Sequence, residues 1–132
     1  MNGLTAMLAL ARSVRVHAYA PYSNYHVGAV LRAANGKLYV GCNVENAAYP
    51  EGTCAEAGAI AAMVADGERQ IEAVVVMGPK GQPCTPCGGC RQKLREFGND
   101  ATTVHITDPD EVLMSASLGD LFPHAFGPES LR

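Results

Sequence analysis

The pattern of apolar and polar positions in the first third of the chain predicts a helix followed by two strands. Apolar side chains recur at three- and four-residue spacing from Leu4 to about His17, which is typical of an amphipathic helix, and Pro21 then forces a break. A strand is expected from Val27, and alternation resumes over Leu38–Glu45 after Asn35-Gly36. Because Asn and Gly tolerate positive φ, this dipeptide predicts a hairpin, and hence an antiparallel pair.

The alternation in the second strand separates two faces. Leu38, Val40, Cys42 and Val44 are expected on one face, with Tyr39, Gly41, Asn43 and Glu45 on the other. We therefore interpret Cys42 as a small core residue, and Asn43 with Glu45 as a polar pair that faces away from the core.

The next part of the chain predicts two more helices. The first spans Thr53–Asp66, with Thr53 as its N-cap and Gly67 as its C-cap. The second ends at Gly98, and Thr85 is its expected N-cap because Pro86 would then take the first helical position that proline favours.

Three further strands and a short C-terminal helix complete the pattern. A continuous apolar run with three valines, Ala73–Met77, indicates a strand covered on both faces, and strands are also expected over Thr102–Thr107 and Glu111–Ser115. Helices that alternate with strands in this way predict a sheet sandwiched between helices.

Length, charge and apolar runs narrow the class of protein. A chain of 132 residues fits a single domain over 1–132, and a net charge of −3 disfavours nucleic acid as a partner. No apolar run approaches the roughly 18 residues of a membrane span, and Met1–Leu10 lacks the basic start of a signal peptide. We therefore expect a cytoplasmic protein, whose five reduced cysteines point to metal binding or catalysis.

Three of the cysteines lie near predicted helix starts. Cys87 and Cys90 are spaced i and i+3 near the start of one helix, and Cys54 lies in the first turn of another. Helix N-termini favour thiolates, since they carry partial positive charge and unpaired N–H groups. Three thiolates suit tetrahedral Zn²⁺ and leave its fourth position open for water, as a catalytic site requires.

A carboxylate accompanies the thiols. Glu56 follows Cys54 by two residues and projects from the same helical turn. A nearby carboxylate can accept and pass on the proton of a water whose pKa zinc has lowered toward about 7. Metal and carboxylate together predict a hydrolytic enzyme.

Other interpretations of these residues stay open at this point. Thr53 and Glu56 fit a capping box, in which Glu56 only bonds back to the N-cap, and Cys87 with Cys90 fits a redox dithiol. Cys84 could complete a structural four-thiolate zinc site. Against that site, Thr85 precedes a proline and is pushed to an extended conformation that carries Cys84 away from the helix.

The metal motif and several other segments resemble a known family. The chain is similar to the zinc nucleoside deaminases, in the form whose first ligand is Cys, and in particular to the small homotetrameric cytidine deaminases. The similarity covers nearly the whole chain and is carried by Cys54-Ala55-Glu56, Pro86-Cys87-Gly88-Gly89-Cys90, Tyr19-Ala20-Pro21-Tyr22-Ser23, Val27-Gly28-Ala29, Gly41-Cys42-Asn43-Val44-Glu45-Asn46-Ala47-Ala48-Tyr49 and Leu121-Phe122-Pro123-His124-Ala125-Phe126.

The resemblance implies a fold and a reaction. It implies a three-layer α/β/α sandwich around a mixed five-stranded sheet, and hydrolytic deamination of cytidine and 2′-deoxycytidine to the uracil nucleosides and ammonia. One Zn²⁺ per chain, held by Cys54, Cys87 and Cys90, would activate a hydroxide that attacks C4 of cytosine. Glu56 would carry protons first to N3 and then to the departing ammonia.

The resemblance also implies the substrate contacts. Asn43 and Glu45 match the pair that holds the ribose hydroxyls, and Tyr25 would pack on the base. The Ala55 N–H would bind the base carbonyl, and the Thr85 carbonyl would accept from the exocyclic amine. Phe126 would reach the base in a neighbouring subunit of a homotetramer.

Two positions depart from the family pattern, and two nearer alternatives remain. Many relatives carry Arg directly after the catalytic Glu, where Ala57 stands here, so helix N-termini and Arg91 are expected to offset the −2 charge of three thiolates and a hydroxide around Zn²⁺. Tyr25 stands where Phe is usual.

Two nearer alternatives share the metal motif. A deaminase of the blasticidin S type is one, but Asn43 and Glu45 favour a ribose as part of the substrate. A deaminase that edits RNA or DNA is the other, and the net negative charge of the chain disfavours it.

Overall fold

A mixed five-stranded sheet forms the middle layer of the computed structural model, which describes residues 3–131. The elements are α1 (Leu4–Arg15), β1 (Gly28–Ala33), β2 (Leu38–Cys42), α2 (Ala55–Ala65), β3 (Ile71–Met77), α3 (Gly88–Phe97), β4 (Thr103–Thr107), β5 (Val112–Ser117) and α4 (Leu118–Leu121), with single 3-10 turns at Tyr49–Glu51 and Pro128–Leu131. The strands lie in the order β2-β1-β3-β4-β5, and all neighbours pair antiparallel except the parallel pair β3 and β4.

Helices cover both faces of this sheet. On one face, Met7 and Ala11 of α1 pack against Val30 and Val75. On the other, α2 and α3 pack on the sheet through residues such as Met63 and Leu94. The predicted three-layer sandwich is confirmed, and β3 lies at its centre with apolar side chains buried on both faces, as the apolar run predicted.

The predicted hairpin is also confirmed. β1 and β2 pair antiparallel with Val30 opposite Val40, and the turn places Gly36 at a φ of +87°. A residue with a Cβ is strained at this φ, so the glycine of the Asn35-Gly36 pair is what permits the turn. The Gly36 N–H donates to the Ala33 carbonyl at 2.9 Å and closes it.

The two predicted faces of β2 are present, but the face assigned to the core is wrong. Tyr39 is the buried residue, 9% exposed and part of the α2-side core, whereas Val40 is 37% exposed. Gly41 lies against the backbone of α2, and Cys42 is only half-buried and outside both cores. The reason is that β2 is an edge strand between two helical layers, so both of its faces meet protein and alternation alone cannot tell which is deeper.

Both predicted N-caps are wrong. α2 has Cys54 as its N-cap, and α3 has Cys87, with no side-chain hydrogen bond at either cap. Thr53 instead exchanges backbone hydrogen bonds of 2.8 and 2.9 Å with Val44, and this pairing holds it extended before the helix begins. The capping box with Glu56 is therefore not formed. The C-cap of α2 is Asp66 and not the predicted Gly67, which lies one residue further on at a φ of +91°, where glycine is favoured. α3 ends as predicted, with Gly98 as its C-cap.

Candidate metal centre and substrate pocket

Three thiols converge where α2 and α3 begin. The Sγ atoms of Cys54, Cys87 and Cys90 all lie within 4.8 Å of one another. Cys54 and Cys87 are the N-caps of the two helices, and Cys90 is the third helical residue of α3. A tetrahedral Zn²⁺ with Zn–S bonds of about 2.3 Å places its sulfur ligands about 3.8 Å apart. The thiols therefore have the number, type and approximate spacing that zinc requires.

The electrostatics of the three thiols differ with their surroundings. Backbone N–H groups of Cys90 and Gly89 at the start of α3 hold the pKa of the Cys87 thiol below its ordinary value. Burial raises the pKa of Cys54 and that of Cys90, which is the most buried of the three. A bound cation is what would keep all three as thiolates, since a coordinated thiol loses its proton.

Glu56 lies beside the thiols as the second residue of α2. It is only 4% exposed, and burial raises the pKa of its carboxyl group, while a hydrogen bond from the Cys90 thiol acts in the opposite direction. A buried carboxyl with a raised pKa suits a group that must both accept and release a proton.

A cavity of about 450 Å³ opens over the thiols and Glu56. Its wall includes four of the predicted substrate contacts: Tyr25, Asn43, Ala55 and Thr85. Ala55 is the first residue of α2, so its N–H has no acceptor within the helix and can donate a hydrogen bond to a ligand.

Asn43 is held at the edge of this cavity by two hydrogen bonds. Its Oδ1 accepts from the Val27 N–H at 2.9 Å, and its Nδ2 donates to the Tyr25 carbonyl at 2.7 Å. These contacts fix the amide and join the second strand of the hairpin to the segment that carries Tyr25.

Glu45 lines a separate neighbouring cavity of about 370 Å³, together with residues of the Tyr22–Ser23 and Tyr49–Gly52 segments. Its carboxylate accepts from the N–H groups of Tyr22 and Ser23 at 2.9 and 3.2 Å and from the Ser23 hydroxyl. The Ser23 hydroxyl is the main reason that the pKa of Glu45 is lowered. Asn43 and Glu45 therefore line adjacent cavities rather than one wall.

Two predicted residues lie away from the thiol cavity. The Arg91 guanidinium donates to the Pro86 carbonyl at 2.7 Å and to the Leu121 carbonyl, so its hydrogen bonds go to backbone and not to thiols. Phe126 is 57% exposed, and its carbonyl accepts from the Gln92 side chain at 2.8 Å. Neither residue lines the cavity over the thiols within its own chain.

Cys84 does not join the other thiols in the part of the chain that the structure describes. Its side chain packs against Gly78, with the Tyr25 hydroxyl close by. Burial and a hydrogen bond with the Cys84 side chain raise the pKa of Tyr25 to about 12. The four-thiolate zinc site is not formed, and Cys84 instead supports the wall that carries Tyr25.

Sequence reasoning missed two polar residues near the site. Ser23 holds the Glu45 carboxylate, and Lys93 places its ammonium near Gly89 at the start of α3. The Ser23 contact has no sequence signal, because it joins distant segments. Lys93 had one, since i and i+4 residues such as Gly89 and Lys93 share a helix face.

No helix within residues 3–131 has the length and apolar character needed to cross a bilayer.

Several known proteins are similar to this chain in both sequence and fold. The family profile described as "Cytidine and deoxycytidylate deaminase zinc-binding region" matches residues 1–106. A cytidine deaminase of Sporosarcina psychrophila is 39% identical over 125 residues, which are 95% of this chain and 92% of the relative. The crystal structure of cytidine deaminase from Burkholderia pseudomallei has a TM-score of 0.88 and 41% identity, and covers 94% of this chain and 99% of that one. That of Mycobacterium tuberculosis has a TM-score of 0.82 and 34% identity, with coverage of 93% and 96%.

Proposed function

The chain belongs to the cytidine and deoxycytidylate deaminase family, and from this we propose how its own residues carry out the hydrolytic deamination of cytidine and 2′-deoxycytidine. In this reaction water adds at C4 of the cytosine ring, the C4–N4 bond breaks, and a uracil nucleoside and ammonia leave. We assign the activity to one domain over 1–132; its ends, Met1, Asn2 and Arg132, lie outside the described residues.

The observation that carries the proposal is the meeting of three thiols and a buried carboxylate at two helix starts. Cys54, Cys87 and Cys90 would hold the Zn²⁺ of this family, since their Sγ atoms lie within 4.8 Å of one another. Zinc, when bound, acts as a Lewis acid that makes water a nucleophile near pH 7. The remaining chemistry falls to the side chains and backbone around it.

Glu56 is the proposed proton carrier. Its burial beside the Cys90 thiol would bring the carboxylate close to a bound ion, and Glu56 is not part of the three-thiol cluster that would hold that ion. It would accept the proton of the attacking water and deliver it to N3 of the ring. It would then take the proton of the new hydroxyl group on C4 and give it to the departing amine, so that C4 becomes a carbonyl and ammonia leaves. The raised pKa of Glu56 supports this role, because a group that shuttles protons works best when its pKa approaches the operating pH.

Backbone groups and one ring would orient the base. The Ala55 N–H, unpaired as the first residue of its helix, would donate to the base carbonyl. The Thr85 carbonyl, which lines the same cavity, would accept from the exocyclic amine. The Tyr25 ring would pack on the face of the base, as aromatic side chains do with planar ligands.

Asn43 and Glu45 would bind the ribose across the boundary of the two cavities. A carboxylate offers about four acceptor positions and Glu45 uses three, which leaves one for a ribose hydroxyl. The Asn43 Nδ2 uses one of its two hydrogens on Tyr25 and keeps the other for substrate. These unused positions support a nucleoside over a free base as substrate.

We propose that the active protein is a homotetramer whose sites are completed by neighbouring subunits. Phe126 is exposed in a C-terminal segment held on α3 by the Gln92 hydrogen bond and by an Arg95–Glu129 ion pair of 2.6 Å. This anchored, exposed ring is available to a second chain, and aromatic side chains are enriched where protein chains meet. A solution mass equal to four chains of 13.9 kDa would support this assembly, and the mass of one chain would contradict it.

Arg91 keeps its proposed part in charge compensation only at long range, because its hydrogen bonds go to the Pro86 and Leu121 carbonyls. We also place the protein in the cytoplasm, since free cysteines persist in a reducing compartment.

The test combines metal analysis with an absorbance assay. The purified protein should contain one zinc per chain and should lower the ultraviolet absorbance of cytidine as uridine forms. Glu56→Gln should keep its zinc and lose about 10²- to 10⁴-fold in kcat, the usual contribution of a general acid and base. Glu96→Gln, the same change at an exposed position of α3, is the control and should match wild type. A zinc-loaded Glu56→Gln variant with wild-type turnover would contradict the proposal.

A further inference from the structure

The metal centre collects more negative charge than its ion can neutralise. Three thiolates and the Glu56 carboxylate carry four negative charges around a divalent cation, in a site where Glu56 and Cys90 are both buried. Charges in such a place are costly unless they are compensated. The side chain at position 57, which follows Glu56 directly, belongs to an alanine and supplies nothing.

The obvious nearby cation is engaged elsewhere. Arg91 directs its guanidinium to two backbone carbonyls, at Pro86 and Leu121. The N–H groups at the starts of α2 and α3 add only partial positive charge beside the thiols. A further positive charge is therefore needed close to the thiols.

Lys93 brings its ammonium group close to the thiols. It follows Cys90 by three residues on α3, so the two share a face of the helix. The Lys93 Nζ lies 3.7 Å, and the Cys87 Sγ 4.0 Å, from the position that a Cβ atom on Gly89 would take. The ammonium and the thiol are thus separated by less than a Debye length, about 8 Å at physiological ionic strength.

The charge of Lys93 reaches the carboxylate as well. Its positive charge counteracts the effect of burial on the pKa of Glu56. Among residues 3–131, no carboxylate oxygen lies within 4.0 Å of the ammonium, so no direct ion pair draws the charge away from the site.

We propose that Lys93 supplies the positive charge that balances the three-thiolate centre of this chain and so increases its affinity for zinc. The inference rests on the proposed function, because it assumes that Cys54, Cys87 and Cys90 hold the ion. Lys93 touches neither the ion nor the substrate in this scheme. It is a positioning residue that acts through the field it adds at the ligands.

The experiment measures zinc affinity by competition with a chromogenic chelator at fixed pH and ionic strength. Lys93→Gln should weaken zinc binding about 3- to 10-fold, the size expected when an exposed unit charge acts on several ligands from a distance of less than about 8 Å. Lys93→Arg, which keeps the charge, should stay within about twofold of wild type. Lys37→Gln is the control: it removes the same charge from a lysine that pairs with Asp66 beyond the far end of α2.

Salt provides a second measurement that packing alone would not change. Lys93 is exposed, so its field should be screened, and the difference between wild type and Lys93→Gln should shrink as ionic strength rises. Equal zinc affinities for wild type and Lys93→Gln would overturn the inference, as would a loss in Lys93→Arg as large as in Lys93→Gln. A wild-type protein without zinc or deaminase activity would instead overturn the proposed function itself.

Discussion

A methyl group added to Gly41 would enter the backbone of α2. The Cβ of Gly41→Ala would lie less than 3.0 Å from the Ala55 carbonyl oxygen and from the Ala59 amide nitrogen, whereas ordinary contacts begin at 3.4 Å. Both neighbours are main-chain atoms of a helix and cannot rotate away. The strand or the helix must therefore move by roughly 1 Å to reach the separation at which atoms attract.

The magnitude follows from this overlap. Overfilling a packed core costs about 1–3 kcal/mol, and contact with rigid backbone on two sides puts Gly41→Ala at the upper end. About 3 kcal/mol corresponds to a fall in Tm of about 10 °C for a domain of this size. The same movement displaces Cys54 and Ala55 at the start of α2, and a misplacement of about 1 Å costs up to about 10²-fold in activity.

The assay compares Gly41→Ala with Gly58→Ala in urea unfolding, zinc content and cytidine turnover. Gly58 lies across the same contact, but a Cβ there would meet the Gly41 Cα at 3.6 Å, an ordinary distance. Because Gly58 is inside a helix, its replacement by Ala should stabilise the protein by about 0.5–1 kcal/mol. If the free energy of unfolding of Gly41→Ala lies within about 1 kcal/mol of the wild-type value and the variant retains full turnover, the close approach of β2 and α2 is refuted.

Three other changes test separate parts of the structure. Cys84→Ser should keep one zinc per chain by metal analysis, and loss of zinc would restore the four-thiolate site. The Asp108 carboxylate accepts hydrogen bonds from three backbone N–H groups at 2.8 Å, which hold its pKa below the ordinary value. Its contribution to the stability of the fold is therefore present above about pH 4 and is lost as the pH falls through the folded-state pKa. The difference in urea stability between wild type and Asp108→Asn should accordingly be largest near neutral pH and vanish in acid. Phe126→Ala should raise KM for cytidine about 2- to 10-fold without loss of zinc, and an unchanged KM would remove Phe126 from the site.

The layers of the fold could be predicted because their signals are local and strong. The valines of β3 and the Asn35-Gly36 turn indicated a buried strand and a hairpin, and both are present. The helix starts could not be predicted from capping rules, which favour Ser and Thr, because both N-caps are cysteines. A metal site requires its ligands at particular positions, so the usual residue preferences for helix caps fail there.

The site divides in the same way. Spacing was enough to group Cys87 with Cys90, because residues three apart at a helix start lie on one face. Glu56 could be grouped with Cys54 because both belong to the start of the same helix. The partners of Arg91 could not be predicted, since they are backbone carbonyls and any residue type carries one. The separation of Asn43 from Glu45 was missed because it depends on the Tyr22–Ser23 segment, which reaches Glu45 from more than 20 positions away.

The position of the three thiols has a consequence for how the chain unfolds. Cys54 and Cys87 are separated by the whole of α2 and β3, so an ion held by both would act as a reversible cross-link that closes a long loop. By the chain-entropy relation used for disulfides, a loop of this length restricts the unfolded chain by about 3–4 kcal/mol. Unlike a disulfide, this cross-link would form in a reducing compartment and would be cut by a chelator rather than by a thiol.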